Sequence, residues 1–205
     1  MSGLLFDMPE KVSIAGKRVD LQSKMLAIKS RSMHQVRELE KIHLDGMSDN
    51  HVAHIVTQKM INAFTFVEYF CSIGVVKELD IAIYCISTKT IIILFALLDA
   101  GQIEYCNLLV NDNASRMKPG IWQRLLDEAE NRDNFTLWAQ NNHAKVIMAD
   151  VNGRFYAVEG SGNLNDNARV EQYTVTISEE LVNWHRSWLR NDVIGIKKVK
   201  GKSNE

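Results

Sequence analysis

A chain of 205 residues with 46% apolar content carries enough hydrophobic material for one sizeable core, which excludes a disordered polypeptide and points to a single domain with at most a small appendage. The formal net charge of −1 gives no overall attraction to polyanions, so a phosphate-bearing ligand has to be held by local groups. Three cysteines, Cys71, Cys85 and Cys106, are odd in number and set in apolar sequence, which reads as free thiols in a reducing compartment.

Met1 to Glu10 has no basic start followed by an apolar run of signal-peptide length, so a cytoplasmic location is expected. The apolar run from Ile91 to Leu98 is too short to cross a bilayer, and no membrane association is expected. Residues 12–14 and 18–21 flank an Ala15-Gly16-Lys17 turn, and the section collects Lys17, Arg18, Lys24, Lys29 and Arg31 as a possible nucleic-acid contact. Ser32 is placed to cap a helix carrying Met33, Val36, Leu39, Ile42 and His43 on one face. A longer helix is predicted over residues 50–76, with Val52, Ile55, Val56, Met60, Ala63, Phe64, Val67 and Phe70 in register. His51 and His54 would lie one turn apart on it, but no acid or thiol accompanies them, so a metal site is not expected.

From residue 79 the pattern alternates. A strand over 79–86, a buried helix over 89–100 and a strand over 103–110 make a β-α-β unit. Pro119 opens a helix with Ile121, Trp122, Leu125, Leu126 and Ala129 as its apolar positions, and a short strand follows over 135–139. Two apolar runs, 144–149 and 155–158, are separated by Asp150-Val-Asn-Gly153, where Asn-Gly marks a hairpin. A strand over 170–177 and a helix over 179–189 close the pattern, with Trp184 and Trp188 one turn apart and expected to stack. The expected division is an N-terminal arm and helical extension over 1–78, a catalytic domain over 79–190, and a mobile basic tail over 191–205 carrying Lys197, Lys198, Lys200 and Lys202.

The chemistry concentrates in one cluster, His143-x-Lys145-x-x-x-x-Asp150 followed by Gly160-Ser161-Gly162-Asn163. The hairpin brings its two halves together, because His143 and Gly160 fall at the ends away from the turn. A neutral imidazole attacks phosphorus without a separate base, which suits His143 as nucleophile. Lys145 shares its strand face by parity and would stabilise the charge of the five-coordinate transition state. Ser161 and Asn163 offer a hydroxyl and an amide to the non-bridging oxygens, while Gly160 and Gly162 permit close backbone approach. Glu171 is the natural partner for the other nitrogen of His143. Asp150, at odd separation from Lys145 and beside the turn, reads as structural. The leaving oxygen needs a proton, and no other histidine has a similar setting, so a symmetric dimer with a second His143 as general acid is expected. No metal or cofactor is required.

At HAKVIMAD and GSGN the chain resembles the phospholipase D superfamily, and within it the short single-motif bacterial or phage-type members. The resemblance covers residues 79–189. It implies an α/β fold with a mixed sheet flanked by helices, here with an N-terminal helical extension, and a metal-independent phosphodiesterase. His143 would be its nucleophile, and Lys145, Ser161 and Asn163 its phosphate ligands. The substrate expected is DNA or RNA. The alternatives are a phospholipid or small-molecule phosphodiesterase, and a non-catalytic DNA- or partner-binding protein that keeps the phosphate pocket.

Overall fold

The computed structural model describes residues 35–58, 61–165, 170–190 and 197–200. The expected N-terminal hairpin, the basic cluster from Lys17 to Arg31 and the Ser32 cap lie outside them. Residues 35–40 are helical, with Leu39 fully buried.

Strand β1 (Val52–Gln58) and helix α1 (Ala63–Ile73) occupy the stretch expected to be one helix over 50–76. Val52, Ile55 and Val56 satisfy helical spacing, but β-branched residues also suit a pleated strand, and pairing with a distant strand decides between them. The helix starts only at Asn62, whose Oδ1 accepts from the backbone of Phe64 and Thr65 while Thr65 Oγ1 accepts from Asn62 N. Such a reciprocal cap satisfies donors that a helix start leaves open. The β-α-β unit follows as β2 (Val76–Ile83), α2 (Thr88–Asp99) and β3 (Ile103–Asn111). A four-residue helix α3 (Ala114–Met117) leads to α4 (Pro119–Asn131), which opens on Pro119 and buries Leu125 and Ala129. Then come β4 (Phe135–Gln140), β5 (Lys145–Val151), β6 (Arg154–Gly160), β7 (Val170–Ile177), α5 (Glu179–Arg190) and β8 (Lys197–Lys200).

All eight strands form one mixed sheet in the order β1-β7-β6-β5-β2-β3-β4-β8. Strands β2, β3 and β4 are parallel, and the remaining pairs are antiparallel. Two segments set outside the catalytic domain by the sequence reading join this sheet. β1 pairs with β7 at one edge, and β8, from the tail expected to be mobile, pairs with β4 at the other.

One sheet face presents Leu79, Ile81 and Ile83 beside Leu108, Val110, Ile147 and Ala149, and these form the main core with Phe66, Phe70, Leu94, Phe95 and Leu125 of the helices. On the other face Ala82, Leu109, Met148 and Ala157 meet Val182 and Leu189 of α5. Fully buried Asp80 also points to this side, where its carboxylate accepts from Arg186 Nε at 2.9 Å, Arg190 Nε at 2.7 Å and Asn107 Nδ2 at 2.9 Å. Burial of a carboxylate is tolerated because it is fully partnered. The expected stacking of Trp184 on Trp188 gives way to His185, whose ring lies against both, with centroids 4.8 and 6.0 Å away. Among the described residues no helix is long and apolar enough to cross a membrane.

Candidate functional site

The register aligns Ile83 with Lys145, Val146 with Glu159, and Gly160 with Tyr173. The carboxyl ends of β2, β3, β4 and β6 therefore meet the starts of β5 and β7 at one end of the sheet, where open α/β sheets bind ligands. His143 stands exposed in the short β4–β5 connection.

That connection is held by asparagines. Asn142 is buried; its Nδ2 donates to Ile83 O at 3.1 Å and its Oδ1 accepts from Ala144 N at 2.8 Å. Its carbonyl accepts from Asn111 Nδ2 at 2.8 Å. Asn142 is thus tied to the ends of β2 and β3, and Ala144, on the other side of His143, is tied to Asn142. Lys145 Nζ donates to His143 O at 2.8 Å and lies 3.2 Å from His143 Nδ1. His143 Nε2 carries no hydrogen bond among the described residues and is open to a ligand. Burial lowers the pKa of Lys145 below the ordinary lysine value, while the charge of Glu171 works in the opposite direction.

The second half of the motif closes beside it. Ser161 Oγ donates to Glu171 Oε2 in a short contact and accepts from Gln172 N at 3.1 Å. Asn163 Oδ1 accepts from Cys85 N at 3.2 Å, and the next residues zip together through Leu164 N to Cys85 O and Ser87 N to Leu164 O. The loop after β6 is thereby fixed to the loop after β2, close to 80 residues earlier in the chain.

His143 and Lys145 are in direct contact, and Ser161 and Asn163 sit in the neighbouring loop, one bonded to Glu171 and the other to the β2–α2 loop. Glu171 Oε2 accepts from Ser161 Oγ, and Lys145 Nζ lies beside His143 Nδ1. Asp150 Oδ1 accepts from Gly153 N at 2.8 Å and closes the hairpin turn, where Asn152 and Gly153 take φ of 53° and 82°. Gly160 and Gly162 both lie against Tyr173. A Cβ on Gly160 would lie 2.3 Å from Tyr173 Cδ1, and one on Gly162 would lie 2.0 Å from Tyr173 Oη. The glycines make room for a buried tyrosine behind the site. His51 precedes β1, and His54 lies on it with Nδ1 3.2 Å from Thr174 Oγ1.

Tyr84, Cys85, Asn111 and Asn142 were missed by the sequence reading. The ring of Tyr84 packs against that of His143, with centroids 4.9 Å apart and planes at 51°, and Lys145 Nζ lies 6.0 Å from its centre. Lys118 Nζ donates to Cys85 Sγ at 2.9 Å. The paired Asn141-Asn142 ahead of His143 was the one local signal available, since asparagine readily bonds nearby backbone.

No protein-family model and no curated protein sequence matches the chain. Solved structures do. Phosphatidylserine synthase of Haemophilus influenzae Rd KW20 is 15% identical with a TM-score of 0.53, over 73% of this chain and 40% of its own, so the chain spans less than half of that protein. NucT from Helicobacter pylori is 14% identical with a TM-score of 0.52, over 73% of this chain and 100% of its own. Nuc from Salmonella typhimurium, a phospholipase D family member, is 15% identical with a TM-score of 0.49, over 74% of this chain and 99% of its own. The chain shares its fold with the first two of these, the phosphatidylserine synthase and NucT.

Proposed function

We propose that the protein is a metal-independent phosphodiesterase acting on DNA or RNA through a phosphohistidine at His143, in a homodimeric site. The observation that carries this reading is the pairing at the sheet end. An exposed imidazole with an open Nε2 stands 3.2 Å from a lysine amine, inside a connection held by buried Asn142.

A bound phosphate draws the Lys145 ammonium away from Nδ1 and onto its non-bridging oxygens. The ring then keeps its proton on Nδ1, with Glu171 as the nearby carboxylate that steadies it, and the Nε2 lone pair faces phosphorus. Nε2 forms the new N–P bond as the P–O bond to the leaving strand breaks, and that oxygen takes a proton from the second copy's His143 imidazolium. Water then attacks the phosphohistidine, returns its proton to that second imidazole and releases the phosphate monoester. Lys145, with amide and hydroxyl donors from Asn163 and Ser161, stabilises the negative charge in both steps. Nucleic acid is favoured over phospholipid by exposed Arg116 and Lys118 at the same end of the sheet.

Incubation with plasmid, single-stranded DNA, RNA and bis(p-nitrophenyl) phosphate in excess chelator tests this. Turnover is expected on nucleic acid, with a loss of about a thousandfold or more in His143→Ala. A folded dimer inert to all four substrates would leave the pocket as an anion-binding site in a non-catalytic protein.

A further inference from the structure

Tyr84 does two things at once. One part of its ring packs on His143, and the residue also walls a cavity beside the site, together with Ile86, Val110, Ile121 and Leu125. The cavity measures about 40 Å³, room for roughly three waters by that measure, which is enough for the edge of a flat ring. Its other walls come from the β2–α2 loop, the end of β3 and α4, with Lys118 beside them. Lys118 and Arg116 are both exposed here, and the cations are placed to meet a phosphate one step along a strand.

We infer that Tyr84 and this cavity form a nucleobase subsite, in which the base next to the scissile phosphate stacks on the Tyr84 ring and presses its edge between the apolar walls, while Lys118 and Arg116 hold the adjoining phosphate. The inference rests on the phosphodiesterase reading and names its substrate as a polynucleotide whose bases are unstacked, as in a single strand. Every base has a π-face, so such a platform binds without reading sequence. Because the tyrosine that stacks the base also touches the nucleophile, an occupied subsite sets the distance from His143 to phosphorus.

The full-length protein is compared on two single-stranded oligonucleotides of equal length, one normal and one carrying abasic residues throughout. Binding is measured by fluorescence anisotropy on a His143→Ala background, and cleavage on the otherwise native chain. Tyr84→Ala is expected to weaken binding and lower kcat/KM on the normal strand by about tenfold or more, with little change on the abasic strand; Tyr84→Phe keeps most of both. Equal losses on the two strands would overturn the subsite and leave Tyr84 as a residue that merely positions His143. No effect on either would overturn it as well. A loss confined to hydrolysis of a short-chain phosphatidylcholine would do the same in favour of a lipid site. If native protein cleaves nothing but the binding difference persists, the subsite stands and the catalytic reading falls.

Discussion

The two ends of the β5–β6 hairpin are built from the same pair of strands and behave in opposite ways. At the closed end, Asp150 bonds Gly153, and Asn152 and Gly153 supply the two positive φ angles that such a tight turn requires. Everything needed lies within four residues. At the open end, His143, Lys145, Gly160 and Ser161 are positioned by Ile83, Asn111 and Tyr173, which arrive from other strands, and Asn163 by the loop carrying Cys85. The open end spends long-range contacts on holding polar atoms that remain available to a ligand, so a lesion there should reach both folding and turnover.

Asn142→Ala is the most severe way to break that contrast. It strips the buried Ile83 carbonyl and the Ala144 amide of their partners, so urea unfolding should show a loss of about 2–3 kcal/mol, and turnover should fall with it. Gly162→Ala comes next, since its methyl overlaps Tyr173 Oη. Overpacking of this kind costs about 2 kcal/mol. Adding Tyr173→Phe should restore most of the loss, and failure of that rescue would mean that the glycine serves something other than the tyrosine. At the closed end, Gly153→Ala forces a side chain into φ of +82° and should cost about 1 kcal/mol while leaving kcat/KM untouched; reduced turnover would show that the two ends are coupled.

The smallest effect sharpens the electrostatics of the open end. Burial lowers the pKa of Lys145 and the Glu171 carboxylate counters it. The ammonium is the active form, so activity is lost as pH rises through that value. Glu171→Gln removes the charge that favours the ammonium, and the alkaline limb of the kcat/KM profile should move to lower pH. An unmoved limb would remove Lys145 as the titrating group.

The same contrast explains what could be read in advance. The turn, the Pro119 helix start and the β-α-β unit are written in local chemistry, and all three are present, the first strand of the unit three residues earlier than expected. β1 was misread because Val52, Ile55 and Val56 fit a helical stripe, while its true partner, β7, lies more than 110 residues away. At the site, although His143 lies in the connection ahead of β5, a spacing of two was enough to bring it and Lys145 together. It could not reveal Tyr84 or Asn142, whose roles exist only once β2 has been laid beside β5. Nor could spacing tell that Gly160 and Gly162 leave room for a tyrosine.

The three cysteines divide along the same line. Burial pushes the Cys71 thiol up to about 12, with the charge of Glu68 adding to it, and raises that of Cys106 as well. Half-buried Cys85 sits at the mouth of the site, its sulfur against Lys118 and its amide on Asn163. A maleimide dye should therefore add to the native protein first at Cys85, ahead of Cys71, which is also partly exposed. The chain so carries its own attachment point for an optical probe, one whose emission would report a strand entering between Tyr84 and Lys118 before any bond is cut.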